Sequence, residues 1–102
     1  MGTYQGARTI DGVKVLADGL PLDPRTDLKR FTDRGFEWTY EGVEPAQLAL
    51  ALLAHHLGDD TKALSLCDAF MRRIIANLDN DWELTAADID SAIAKIDGGS
   101  KP

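Results

Sequence analysis

Apolar residues along this chain fall into one dense run, two helical stripes and two short alternating stretches. The dense run, from Pro45 to Leu57, reads Pro-Ala-Gln-Leu-Ala-Leu-Ala-Leu-Leu-Ala-His-His-Leu and carries only Gln47, His55 and His56 as polar side chains. It is apolar most of the way round rather than along one stripe, so it must be buried. Alanine and leucine lose little side-chain entropy in a helix, Pro45 suits the first turn, where a missing N–H costs nothing, and Gly58 suits the left-handed position just past the end. At roughly 1.5 Å per residue the helix reaches about 20 Å, whereas a bilayer takes about 20 apolar residues. The pattern predicts a core helix, not a membrane span.

Before it, Thr3–Ile10 and Val13–Leu16 flank Asp11-Gly12, a type I′ turn signal that predicts a two-residue hairpin with Ile10 opposite Val13 and Arg8 opposite Val15. Asp18-Gly19 signals a second turn, and the prolines of Leu20-Pro21-Leu22-Asp23-Pro24 exclude a central strand. From Pro24 the chain fits either a short helix capped by Asp23, carrying Leu28 and Phe31 inward, or an irregular loop. Phe36-Glu37-Trp38-Thr39-Tyr40 then alternates with the period of a half-buried strand, its aromatic face awaiting the cover of the Pro45 helix.

After it, Asp59 or Asp60 caps a helix expected from about Thr61 to Leu78, with Leu64, Cys67, Met71, Ile74, Ile75 and Leu78 at helical spacing. Ala63, Leu66, Ala69 and Phe70 widen that stripe, so it packs against two layers or is shared with another chain; a homodimer is one expectation. Asp68 and Arg72 form an i,i+4 surface pair. Trp82-Glu83-Leu84 reads as a short extended piece that adds Trp82 to the core. Thr85 caps the last helix with Asp88 at N3 and Leu84 placed to staple onto Ile89; Ile89, Ala92, Ile93 and Ile96 form its inner stripe. The fold class expected is α+β: a small antiparallel sheet, the N-terminal hairpin plus the Phe36 strand, covered by three helices with the alanine/leucine helix innermost.

A chain of 102 residues makes one domain, placed at 1–97, with Gly98-Gly99-Ser100-Lys101-Pro102 as a flexible tail. Cys67 is the only cysteine and sits among apolar helical neighbours, a small core residue with nothing adjacent to activate it. With no bridge to form and no basic-then-apolar start, the expected compartment is a reducing cytoplasm. The net charge of −6 argues against direct contact with nucleic acid or with an anionic membrane surface, both of which need a basic footprint.

Gly35-Phe36-Glu37-Trp38, Tyr40 and Gly42, then Pro45-Ala46-Gln47-Leu48-Ala49-Leu50-Ala51-Leu52-Leu53 and Trp82-Glu83-Leu84-Thr85, resemble a family of short bacterial and phage proteins known only as a domain of unknown function. The resemblance runs from Tyr4-Gln5-Gly6 to the Thr85 helix. Where that family's strand-to-helix loop is richer in glycine, this chain has Thr39, Glu41, Val43 and Glu44. The resemblance implies a fold and a bacterial or phage origin, and it transfers no catalytic residue.

Candidate chemistry is sparse. A loop with Gly42 ahead of a helix N-terminus is the geometry of an anion site, but Glu41 and Glu44 would repel the anion, and neither a Walker lysine nor G-x-G-x-x-G is present. His55 and His56 point about 100° apart on a helix and cannot readily share an ion, so no metal or other cofactor is expected. Ser65 and Ser91 lie inside helices without a nucleophile elbow. Glu37 with Trp38 and Tyr40 marks an alternative small-ligand or catalytic site, against the simpler outcome in which Glu37 meets an arginine such as Arg8 or Arg34. The remaining signal is charge: from Ile74 to Ala94 there is no lysine or arginine, while Asp79, Asp81, Glu83, Asp88 and Asp90 gather around the junction of the last two helices. These carboxylates either solvate the surface and favour a helix N-terminus, or form a docking edge for a protein with a basic surface. The leading expectation is a non-enzymatic acidic protein-binding module, an antagonist of a host nucleic-acid-handling defence complex such as an anti-CRISPR.

Overall fold

The structure, a computed structural model, describes residues 2–99. In chain order it runs β1 (Thr3–Thr9), β2 (Gly12–Ala17), β3 (Leu20–Pro21), α1 (Val43–Leu57), α2 (Asp60–Arg73), a 3-10 turn at Ile75–Asn77, β4 (Trp82–Thr85) and α3 (Ala86–Gly99). The strands form one antiparallel sheet in the order β3-β2-β1-β4. The α+β class, the three helices and the hairpin are as expected from the sequence. Of the tail expected at 98–102, Gly98 and Gly99 belong to α3 and the rest lies outside the described residues.

Along β1 and β2 the side chains alternate: Tyr4, Gly6, Val15 and Ala17 are buried, while Gln5 and Lys14 face out. That alternation sets which sheet face meets the helices. The second turn has Asp18 at φ 51° and Gly19 at φ 83° between the paired Ala17 and Leu20, the two positive φ values of a type I′ connection. The first hairpin differs from expectation. Thr9 pairs with Gly12 and Arg8 with Val13, so Ile10 and Asp11 make the turn and Gly12 alone takes a positive φ, 120°. The shift of two residues keeps every side chain on its face.

The strand expected at Phe36–Tyr40 does not form. The place beside β1 is taken by β4, the short extended piece at Trp82. Thr39 has φ 80°, which breaks an extended run, and its N–H donates to Ile75 O at 3.1 Å. The aromatic spacing reports burial, with Trp38 fully buried and Phe36 packed on the core, and burial here comes without a ladder.

The innermost helix is α1, in which every residue from Pro45 to Ala54 is buried. Gly58 closes it in the left-handed conformation, its N–H donating to Ala54 O. Asp59 caps α2 by accepting the Lys62 N–H at 3.1 Å. That helix stops at Arg73, not Leu78; Asn77 Nδ2 donates to Arg73 O at 3.0 Å, and Ile74, Ile75 and Leu78 pack inward from a turn instead. Against α1 and α3, α2 buries Ala63, Leu66, Cys67, Phe70 and Met71 and leaves Leu64 38% exposed. Most of the wide arc is therefore buried within one chain, with Leu64 left exposed. No described helix is long and apolar enough to cross a membrane.

Thr85 and Asp88 cap α3 reciprocally: Thr85 Oγ1 accepts the Asp88 N–H at 3.1 Å and Asp88 Oδ2 accepts the Thr85 N–H at 2.9 Å. Thr85→Ala removes one of two partners that satisfy otherwise orphaned donors, and is expected to cost about 1 kcal/mol. The check is a urea midpoint shift at unchanged slope; an unchanged midpoint would mean that packing alone holds the helix start.

Candidate functional site

The long connection from Leu22 to Gly42 contains no helix or strand, so its backbone groups must find partners elsewhere. One residue supplies four of those partners. Gln47, 0% exposed in the middle of α1, donates from Nε2 to Pro24 O (2.7 Å) and Lys29 O (3.0 Å), and its Oε1 accepts from the Phe31 N–H (2.8 Å) and the Thr32 N–H (3.4 Å). The amide has two donors and one carbonyl oxygen with two lone pairs, and all are used. At the segment's start Asp23 Oδ1 accepts the Arg25 N–H, and the Arg25 guanidinium reaches Asp27 and Asp60.

Arg8 holds the far end of the same segment. Its Nη2 donates to Glu37 Oε1 (2.6 Å) and Trp38 O (3.0 Å), its Nη1 donates to Asn80 Oδ1 (2.6 Å), and the guanidinium lies 4.9 Å from the Trp38 ring centroid. Trp38 is 0% exposed; its Nε1 donates to Asn80 O (3.1 Å) and its ring meets Trp82 edge-on, centroids 5.7 Å apart. Tyr40 turns the other way and donates to Glu44 Oε1 (3.3 Å); partial burial, then the Glu44 charge, push its hydroxyl pKa up. Of the three residues of the alternative ligand site, Glu37 and Trp38 thus share Arg8 as a partner, while Tyr40 turns to Glu44. Glu37 is spoken for by Arg8, the simpler outcome, and is not a free base. Glu44 also accepts from Thr32 Oγ1 at 3.1 Å, and its carboxylate in the first turn of α1 disfavours a second anion there.

The histidines separate likewise. His55 Nδ1 pairs with Tyr4 Oη at 2.8 Å, with the two rings perpendicular, and His56 Nε2 pairs with Asp90 Oδ1 at 2.6 Å, tying the end of α1 to α3. Among the described residues no group of three or more His, Cys, Asp or Glu is placed to hold a metal ion. The Cys67 thiol is pushed up in pKa by burial, the opposite of activation.

The five acidic candidates divide into two kinds. Asp88 caps α3 and Asp90 pairs with His56. Asp79, Asp81 and Glu83 are exposed, with no hydrogen bond or ion pair among the described residues. Asp81 and Glu83 also line a shallow open depression of about 480 Å³ on the sheet face opposite the helices, together with Gln5, Ala7, Lys14 and Leu16. Those last four were missed as site residues. Their signal was present in the hairpin alternation, which sets them on the face away from Tyr4 and Val15, where an alanine and a leucine remain although no helix covers them.

No curated protein and no solved structure matches this chain. The model of DUF6166, a family of unknown function, matches residues 4–95, and the chain belongs to that family.

Proposed function

We propose that this chain is a non-enzymatic protein-binding module of bacterial or phage origin, whose working surface is the rim formed by Asp79, Asp81 and Glu83 beside the open sheet face. The observation that carries the proposal is that these three carboxylates stand exposed and, among the described residues, unpartnered, in a stretch without a cation from Ile74 to Ala94. Carboxylates needed for the fold are committed, as Asp88 and Asp90 are; these three are spare. They complement a basic protein surface, and the basic surfaces that such a rim can occlude are those that otherwise hold a phosphate backbone. Blocking a host nucleic-acid-handling complex, in the manner of an anti-CRISPR, is the activity that fits this chemistry.

Reversing Asp79, Asp81 and Glu83 to lysine tests the reading. Because the three side chains lie outside the core, the melting temperature should move little, consistent with about 0.5 kcal/mol or less per surface site. Capture of a basic partner should be lost, and wild-type capture should weaken steeply with salt, since exposed charges are screened over about 8 Å at physiological ionic strength. A folded triple variant that captures the same partner with unchanged salt dependence would leave the rim as solvation only.

A further inference from the structure

The outer edge of β4 is an unpaired strand edge, as its hydrogen-bond phase shows. Ala86 N–H donates to Gly2 O at 2.8 Å, continuing the β1–β4 register, while Thr3 uses its own N–H and C=O on the opposite side, with Asp18. Bonded and non-bonded pairs alternate along an antiparallel ladder. Tyr4 with Leu84 and Gly6 with Trp82 are therefore the bonded pairs, and Glu83 and Thr85 turn their main-chain groups away from β1. The Thr85 N–H is taken by Asp88 Oδ2. The Glu83 N–H and C=O have no partner among the described residues, and Glu83 is exposed.

We infer that β4 accepts an extended, cationic segment of a partner protein as a fifth strand of the sheet. An added strand would bond to the Glu83 main chain and place every second side chain on the outer sheet face, beside the Glu83 and Asp81 carboxylates and the depression they line. Lysine or arginine at those alternate positions is the complementary chemistry. Among the described residues, the one cation lining the depression, Lys14, lies on β2, beyond β1 from the edge. A second copy of this chain is the wrong occupant, because pairing two β4 edges about a two-fold axis at Glu83 sets like charges against each other. This rests on the protein-binding reading above and gives it a mode of contact.

The probe is an acetylated and amidated heptapeptide alternating lysine with valine, titrated into isotope-labelled protein at low salt. Its control carries the same charges with methyl groups on the amide nitrogens that would face β4. Binding by the first peptide with slowed hydrogen exchange at the Glu83 amide, and weakening by about tenfold or more for the methylated one, is the expected result. Equal binding of both without protection at Glu83 overturns strand addition and leaves the acidic rim as a purely electrostatic surface. No binding of either peptide up to about 1 mM overturns it as well; the lysine-reversal experiment then decides the broader reading on its own, because it does not depend on a free peptide. In that outcome the charges guard a short edge against pairing.

Discussion

Gln47→Leu is expected to cost about 3 kcal/mol or more, a large share of the 5–15 kcal/mol that holds a domain of this size together. Propensity and hydrophobicity both favour leucine at that position, on the most apolar helix of the chain. The opposing effect is larger. Removing the amide strips partners from Pro24 O, Lys29 O and the N–H groups of Phe31 and Thr32 at once, and each such group left buried costs about 1–3 kcal/mol, less where the segment can shift and admit water. Hydrogen exchange at Phe31 and Thr32 should accelerate before the rest of the molecule unfolds, because the connection detaches first. Gln47→Glu sharpens the test. The carboxylate would point an oxygen at two carbonyl oxygens, so its folded-state pKa rises above the unfolded one. The sign follows: the variant's deficit grows as pH rises from the unfolded carboxyl pKa, about 4.3, to the raised folded-state one, and is smallest and constant below that window. Equal stability of Gln47→Leu and wild type would show that the connection needs no pin.

The same residue marks where the sequence stops being legible. The helices, the presence of the hairpin and the caps at Thr85 and Gly58 were readable, and the cap of α2 was narrowed to Asp59 or Asp60, because each depends on residues within a few positions of one another. The segment at 22–42 depends on Gln47, 23 positions from Pro24 and 18 from Lys29, and on Arg8, 29 positions from Glu37. Local periodicity cannot show such bonds. The lone polar residue between Pro45 and Ala54, a glutamine, was the available hint, since a buried amide must find four partners. The Phe36 strand failed for a related reason: alternation marks which side chains go inward, and Trp38 goes inward from an irregular backbone that bonds to Arg8 and Ile75. The acidic cluster was visible as composition, but its division into structural Asp88 and Asp90 and spare Asp79, Asp81 and Glu83 required knowing that His56 on α1 faces Asp90 on α3.

Gly6→Ala is expected to destabilise by about 2–3 kcal/mol, although glycine inside a strand is ordinarily the weaker residue by about 0.5–1 kcal/mol. Steric conflict decides the sign. Gly6 sits opposite Trp82 in the ladder, and a Cβ there would stand 2.3 Å from Cε2 and Nε1 and 2.5 Å from Cζ2 of the indole, well inside the roughly 3.5–4.0 Å of an ordinary carbon contact. The indole must move, and it cannot move alone. Its edge contact with Trp38 couples it to the Trp38 Nε1 bond to Asn80 O and to the Arg8 cluster that holds the end of the long connection. No hydrogen bond of Trp82 offsets the shift, because its Nε1 is buried with no partner among the described residues. A double-mutant cycle isolates the cause: Trp82→Phe removes Nε1 and the second ring, so adding Gly6→Ala to it should cost at least about 1 kcal/mol less than in the wild-type background. Denaturant unfolding of the four proteins measures this directly. Additive costs would place the penalty in the strand backbone rather than in the indole, and the close approach of Trp82 to Gly6 would then no longer explain why a glycine stands in the middle of β1.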